Sequence, residues 1–224
     1  IQGSSLTVNS DGSVTNNKTL NVANINLNSQ SALANTGDLT AEQITVAKDA
    51  LLNNSGSLEG NVTLQGRMSN SGQTTGMVLV QNGGILSGGG SFESVTVRQG
   101  GRLKIQGAAS FNGLTFEEGS GMAFSVNGTT PFSAGMNAAD TYSHATVGTL
   151  SIAGTPSIEV HVGSGLIAAG SESFTLNLLQ AAEITGNAAL EQQLHLTGET
   201  GLLEDGGVLD WNPETGLLTF SGKL

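Results

Sequence analysis

Three histidines, His144, His161 and His195, are the side chains whose ordinary titration falls near neutral pH. None sits in a metal-binding spacing such as H-E-x-x-H. His161 lies in the alternating segment Glu159-Val160-His161-Val162. There a polar residue between apolar ones points outward from a strand. Adjacent acids occur at Glu117-Glu118 and Glu204-Asp205. Glycoside hydrolysis needs two carboxylates held several ångströms apart across a cleft. Neighbouring acids in a glycine-flanked turn face opposite ways or into water, so these pairs read as solvated corners. Arg98, Arg102 and Lys104 form the one basic cluster. In a strand–turn–strand unit they point outward as a small surface patch, suited to an anionic glycan.

Other chemistries find no pattern. No G-x-S-x-G nucleophile elbow is present. Gly88-Gly89-Gly90 lacks the Lys-Ser or Lys-Thr of a phosphate loop. Gly83-Gly84 lacks the Asp of a calcium-binding glycine repeat. The N-x-S/T sites at Asn17, Asn53, Asn61 and Asn127 suit a chain rich in those residues and carry no further meaning. Trp211, beside Asn212-Pro213, is expected to anchor the last turn. The expectation is no catalytic residue, no metal and no cofactor.

Positioning elements must come from aliphatic residues. Aromatics are 4% of the 224 residues, while Gly numbers 33 and Pro 3. Cysteine is absent, so disulfides and thiolate chemistry are excluded. The net charge of −11 is unevenly spread. Residues 1–113 hold six acids and six bases, whereas residues 114–224 hold twelve acids and one base, Lys223. So acidic a chain does not suit nucleic acid, whose phosphates need clustered Lys and Arg. No apolar run is long enough for a membrane-spanning helix. The start, Ile1-Gln2-Gly3-Ser4, has no leader-like charge or apolar stretch, which reads as a mature or excised piece.

A repeat organises the first half. Apolar–polar–apolar triplets begin at Leu6, Ile25, Ile44, Val62, Val78, Val95 and Leu114, spaced by 19, 19, 18, 16, 17 and 19 residues. Each reads as a short strand with its outer residues on one side. Thr and Asn dominate the middle slot, which makes that side wet. A second apolar point follows at Val14, Leu33, Leu51 or Leu52, Met68, Leu86, Leu103 and Met122, and a third at Leu20, Leu39, Leu58 and Phe92. Such a unit has about three corners and cannot bury its apolar side alone. Stacked on copies of itself, it can. Asn16, Asn35 and Asn54 each fall ten residues after a triplet start, and stacking would join them in an Asn ladder. Gly37 and Gly56 are expected to supply positive φ at the same corner. A β-sandwich is the competing arrangement, supported by Asn-Gly pairs such as Asn82-Gly83. Strands of three residues in units of 16–19 fit a coil better.

The segment Val78–Gly128 resembles the passenger regions of bacterial autotransporters, the pertactin-like and self-associating adhesin group. Val95-Thr-Val-Arg-Gln-Gly-Gly-Arg-Leu103 has their strand, Gly-Gly, strand unit. Asp140–Gly186 is similar to segments that follow autotransporter-type repeats in large surface proteins, through Thr146–Gly154, Phe174–Leu179 and Ile184–Gly186. The resemblance implies a right-handed parallel β-helix. It also implies a C-terminal region that is the most stable part and seeds folding. In that family a membrane barrel follows. Here Phe220-Ser-Gly-Lys-Leu224 leaves no room for one, so the chain reads as a passenger piece or as a surface protein anchored otherwise.

After Gly128 the rhythm changes. Thr129–Ala145 reads as a loop. Strands are expected at Thr149–Ala153, Ser157–Val162, Ser173–Leu179, Gln193–Thr197 and Leu217–Ser221, with one helical turn near Leu190–Leu194. The expected fold is therefore all-β: a right-handed parallel β-helix (solenoid) with a β-rich C-terminal cap. Residues 1–128 would form rungs of about 16–19 residues, and 129–224 larger terminal rungs or a capping segment. The expected role is a non-enzymatic structural or adhesive stalk, extracellular on a bacterial surface, in a parent protein associated with the outer membrane. Its partner would be a host or bacterial surface glycan or protein. The segment would be a monomer that leaves self-association open, with no nucleic acid and no membrane insertion of its own. The alternatives are a β-helix that binds or cleaves polysaccharide and a phage tail-fibre-like trimer.

Overall fold

A computed structural model describes residues 2–131, 141–164, 173–186 and 189–223. These are all-β, in a long and mostly parallel sheet system. The first strands are β1 (Gln2–Val8), β2 (Ser13–Asn16), β3 (Thr19–Leu27), β4 (Ala32–Asn35) and β5 (Asp38–Val46). Then come β6 (Leu51–Asn54), β7 (Ser57–Leu64), β8 (Arg67–Asn70), β9 (Gln73–Val80), β10 (Ile85–Val97) and β11 (Arg102–Glu117). Odd strands pair with odd and even with even through β9. The triplet starts are direct partners, from Leu6 to Ile25, Ile44, Val62, Val78, Val95 and Leu114. Each strand thus pairs with one a full circuit of chain away, a register consistent with a β-helix-like solenoid.

The core follows from the pleat. Along β5 the residues alternate, with Leu39, Ile44 and Val46 fully buried and Thr45 half-buried on the outside. Leu33, Leu52, Met68, Leu86 and Leu103 stack as a second buried column. Of Leu51 and Leu52, Leu52 is the one that points inward. In the third column Leu58 is followed by buried Thr74, then by Phe92 and Phe111, whose rings stack at 5.0 Å.

Two expectations need correction. Strands are longer than three residues: β3 has 9, and β11 has 16. The chain turns the corner near Ala41, Gly60 and Gly76 without leaving the ladder, so two expected strands become one bent strand with a register shift. The glycine corner also works differently. Gly37 and Gly56 are not among the residues with positive φ. A Cβ on Gly37 would run into the Lys18 carbonyl, and one on Gly56 into the Gly37 carbonyl, so glycine is needed for close stacking. The left-handed position belongs to another turn. There Asp11 (φ 61), Gln30 (φ 65), Asp49 (φ 65), Gly83 (φ 80), Gly100 (φ 73) and Gly119 (φ 68) are equivalent, each inside a turn closed by an i to i+3 backbone bond such as Ala50 N–H to Ala47 C=O.

Farther on lie β12 (Gly121–Val126), β13 (Thr130–Pro131), β14 (Thr141–Tyr142), β15 (His144–Ala153), β16 (Ser157–Val162), β17 (Ser173–Gly186) and β18 (Leu194–Gly198). Parallel stacking continues, with longer excursions between partners. Thr149 lies opposite Glu183, 34 residues on, and His161 opposite Thr197, 36 residues on. The expected loop Thr129–Ala145 holds strand at both described ends, and Tyr142 and Ser143 are buried; its residues 132–140 lie outside the described residues. The helical turn is a single 3-10 turn, Glu191–Gln193. The last strands are β19 (Val208–Asn212) and β20 (Leu217–Lys223), and they pair antiparallel. β20 also pairs antiparallel with β17, ending the parallel stack with a folded-back hairpin. Sequence patterning missed β19, because Val208-Leu-Asp-Trp-Asn212 buries only Trp211 deeply.

Candidate functional site

The basic cluster occupies the outward side of the second sheet and its adjoining turn. Arg102 and Lys104 sit two residues apart on β11, both exposed, flanking buried Leu103. Arg98 lies in the preceding turn, where its Nε is 3.5 Å from Glu117 Oε1, both side chains being about half exposed. A solvated pair of this kind contributes little stability, about 0–1 kcal/mol, but it neutralises one of the three charges. The register adds a residue that sequence reading left out. Arg67 pairs with Ile85, which pairs with Arg102, so the two arginines share a column two rungs, roughly 10 Å, apart. Only the rung-to-rung register could reveal this, since 35 positions separate them in sequence. Beside the turn, an open cleft of about 390 Å³ is lined by Gln65, Gln81, Asn82, Arg98, Gln99 and Glu117.

The asparagines lie at a buried corner. Asn16 Nδ2 donates to Asn35 Oδ1 at 2.7 Å, Asn35 Nδ2 to Asn54 Oδ1 at 2.7 Å, and Asn54 Nδ2 to Asn70 Oδ1 at 2.7 Å. Each amide also serves the backbone. Asn35 Nδ2 reaches the Ser57 carbonyl at 2.9 Å and Asn54 Nδ2 the Gln73 carbonyl at 3.0 Å. Asn70 belongs to this ladder although counting from the triplet does not find it, because its rung is shorter. The series ends where Asn70 pairs with Gly88, and Gly88 with Ile105. This is a scaffold feature, hidden from ligands.

The other titratable residues are dispersed. Each paired acid has its own partner. Glu118 accepts from the Thr155 hydroxyl at 2.6 Å and the Thr155 N–H at 2.8 Å, which holds its carboxyl below the usual range. Lys223 Nζ donates to Glu204 Oε2 at 2.6 Å, and Asp205 accepts from the Gly207 N–H at 3.1 Å. His161 is exposed, with Nδ1 3.4 Å from Thr197 Oγ1, and Thr197 donates to Glu159 Oε1 at 2.9 Å. His195 pairs in register with Glu159. His144 packs 5.8 Å from the Tyr142 ring. Burial pushes the Tyr142 phenol up, against a hydrogen bond from the Asn177 backbone. Trp211 is buried in β19. Among the described residues no helix is long and apolar enough to cross a membrane.

The class of molecule that these features define is an all-β chain with a long parallel stack and solvated outer columns. No protein-family model and no curated protein matches the chain. Among solved structures, the crystal structure of a TibC-catalysed hyper-glycosylated TibA55-350 fragment is similar over 87% of this chain and 82% of that one, at 14% identity and a TM-score of 0.30. A likeness that loose bears on neither fold nor activity.

Proposed function

We propose that this chain is a non-enzymatic structural and adhesive segment of a secreted bacterial surface protein, a right-handed parallel β-helix that holds extended polar faces away from the cell. The handedness follows the rule for parallel crossover connections. The supporting observation is the continuous column of strand partners from Leu6 to Leu114 and on to Leu150 and Ile184, beside which mostly polar side chains face outward. A rigid rod with ordered outer columns suits contact spread over many residues, in which affinity comes from summed polar contacts. The segment is extracellular, monomeric and free of cofactors, with residues 129–224 acting as its cap. Small-angle scattering tests this: an elongated monomer is expected, and a compact sphere or an obligate trimer overturns it.

The partner face in this reading is the patch of Arg102 and Lys104, with Arg98 beside it, and the ligand is an anionic surface glycan. Reversing Arg98, Arg102 and Lys104 to Glu is expected to abolish binding to heparin-like or sialylated glycans. Unchanged binding disposes of the patch while leaving the stalk reading intact.

A further inference from the structure

One outer column of the first sheet is far more regular than its surroundings. Thr45, Thr63, Leu79, Thr96, Thr115 and Ser151 are successive Cα partners on consecutive rungs. Asn26 and Thr7 extend the column at one end and Thr185 at the other. All of these side chains are half-buried or exposed, and none is charged. The register shifts fall at the bends, outside this column. A second column runs beside it, about 7 Å away, through Gln43, Asn61, Ser94, Gly113 and Thr149, with Met77 exposed between Asn61 and Ser94, and it stays uncharged until it reaches Glu183 at its far end. The equivalent column of the second sheet is different: Ser69, Ser87, Lys104, Ala123, Glu159 and His195 mix sizes and both charges.

The chemistry of the threonine column restricts what it can recognise. It has no charge to attract a polyanion or a cation. It has no aromatic ring on which a sugar could stack. Each threonine presents one methyl and one hydroxyl, and β-branching leaves it few χ1 states to lose on binding. The sites recur at the strand spacing, roughly 4.8 Å. A surface that repeats the same hydroxyl–methyl pair at a fixed step is complementary to a ligand that repeats at that step. The oxygen repeat of the ice lattice is close to this spacing. We propose that this face binds ice, with the hydroxyls joining the water lattice and the methyls, together with Leu79 and Met77, filling its gaps. This depends on the rung register alone and does not rest on the adhesive role or on the basic patch.

The test uses the full chain in dilute buffer against a slowly growing ice surface. The wild type is expected to be incorporated into the ice, and a double variant Thr63→Lys/Thr96→Lys to be excluded like an unrelated soluble protein. The matched variant Ser69→Lys/Ser87→Lys, on the other sheet, is expected to be incorporated as wild type. Should the lysine pair in the threonine column fail to give the wild-type circular dichroism spectrum, Thr63→Ser/Thr96→Ser removes only the methyls and is expected to lower incorporation several-fold. Exclusion of the wild type overturns the proposal. So does equal loss in both lysine variants. A third outcome also overturns it: a wild type excluded from ice that instead binds crystalline chitin, or dimerises through this face.

Discussion

The two halves of the molecule stack by the same parallel pairing but close their circuits differently. In the first half each circuit takes 16 to 19 residues, as the Asn16, Asn35, Asn54 and Asn70 steps show. In the second it takes 34 to 36, as at Thr149 and Glu183 or His161 and Thr197. The ladders are parallel in both, as β3 with β5 and β15 with β17 show. The difference teaches that pairing, not loop length, sets the architecture. Closure entropy grows only slowly with loop length, roughly 0.6 kcal/mol per doubling, so the ladder tolerates long excursions. The halves also satisfy their buried polar groups differently. Short rungs use an amide ladder at one corner. The far end uses the antiparallel β19–β20 hairpin, which pairs with β17 and covers part of the otherwise open edge.

The largest effect should come from the end. Phe220 is fully buried in β20 and meets Phe174 edge to face at 5.5 Å. Phe220→Ala is expected to cost about 3–5 kcal/mol, read by chemical denaturation. If the halves unfold as one unit, the whole transition shifts; two separate transitions would show the end to be an independent block.

A middle effect tests the ladder. Asn35→Ala leaves the Asn16 donor and the Asn54 acceptor without their partner, and an expected loss of about 1–3 kcal/mol follows. Asn177→Ala, an exposed substitution in the second half, should fall within about 0.5 kcal/mol of wild type. Comparable losses at the two sites would remove the contrast between the halves.

A smaller effect concerns the turns. Asp49 holds φ 65 where later rungs have glycine. Asp49→Gly should raise stability by up to about 1 kcal/mol, by relief of left-handed strain less the entropy glycine adds to the unfolded chain. A lowered melting temperature would refute that account.

The subtlest test is titration of Glu118, which joins the last short rung to the first long circuit through Thr155. Its folded carboxyl titrates below the ordinary value of 4.5. Its favourable contribution is therefore present above 4.5 and lost as pH falls through the folded value. In Thr155→Val the hydroxyl donor is gone, and NMR titration should find the carboxyl moved back up toward 4.5.

Much of this was legible residue by residue. The triplets at Leu6, Ile25 and Ile44 could be aligned because short turns keep their spacing nearly constant. Leu150, the next partner of Leu114, could not be, because the intervening chain masks the period. Asn16, Asn35 and Asn54 were visible at equal distances from their triplets, while Asn70 sits on a shortened rung. Arg98, Arg102 and Lys104 were visible as a local cluster. Arg67 was not, since its nearness to Arg102 exists only across two rungs.

The sequence by itself determined the alternation of apolar and polar residues, and with it the rungs of the first half and which side of each strand faces inward. That pattern is local, written within about ten residues at a time, so no distant contact was needed to read it. Only the tertiary structure decided the register across long excursions, the bends that fuse neighbouring strands, the glycines chosen for close stacking and the antiparallel hairpin at the end. Those depend on which backbone groups meet across the stack, and hydrogen bonds between residues far apart in sequence leave no local trace.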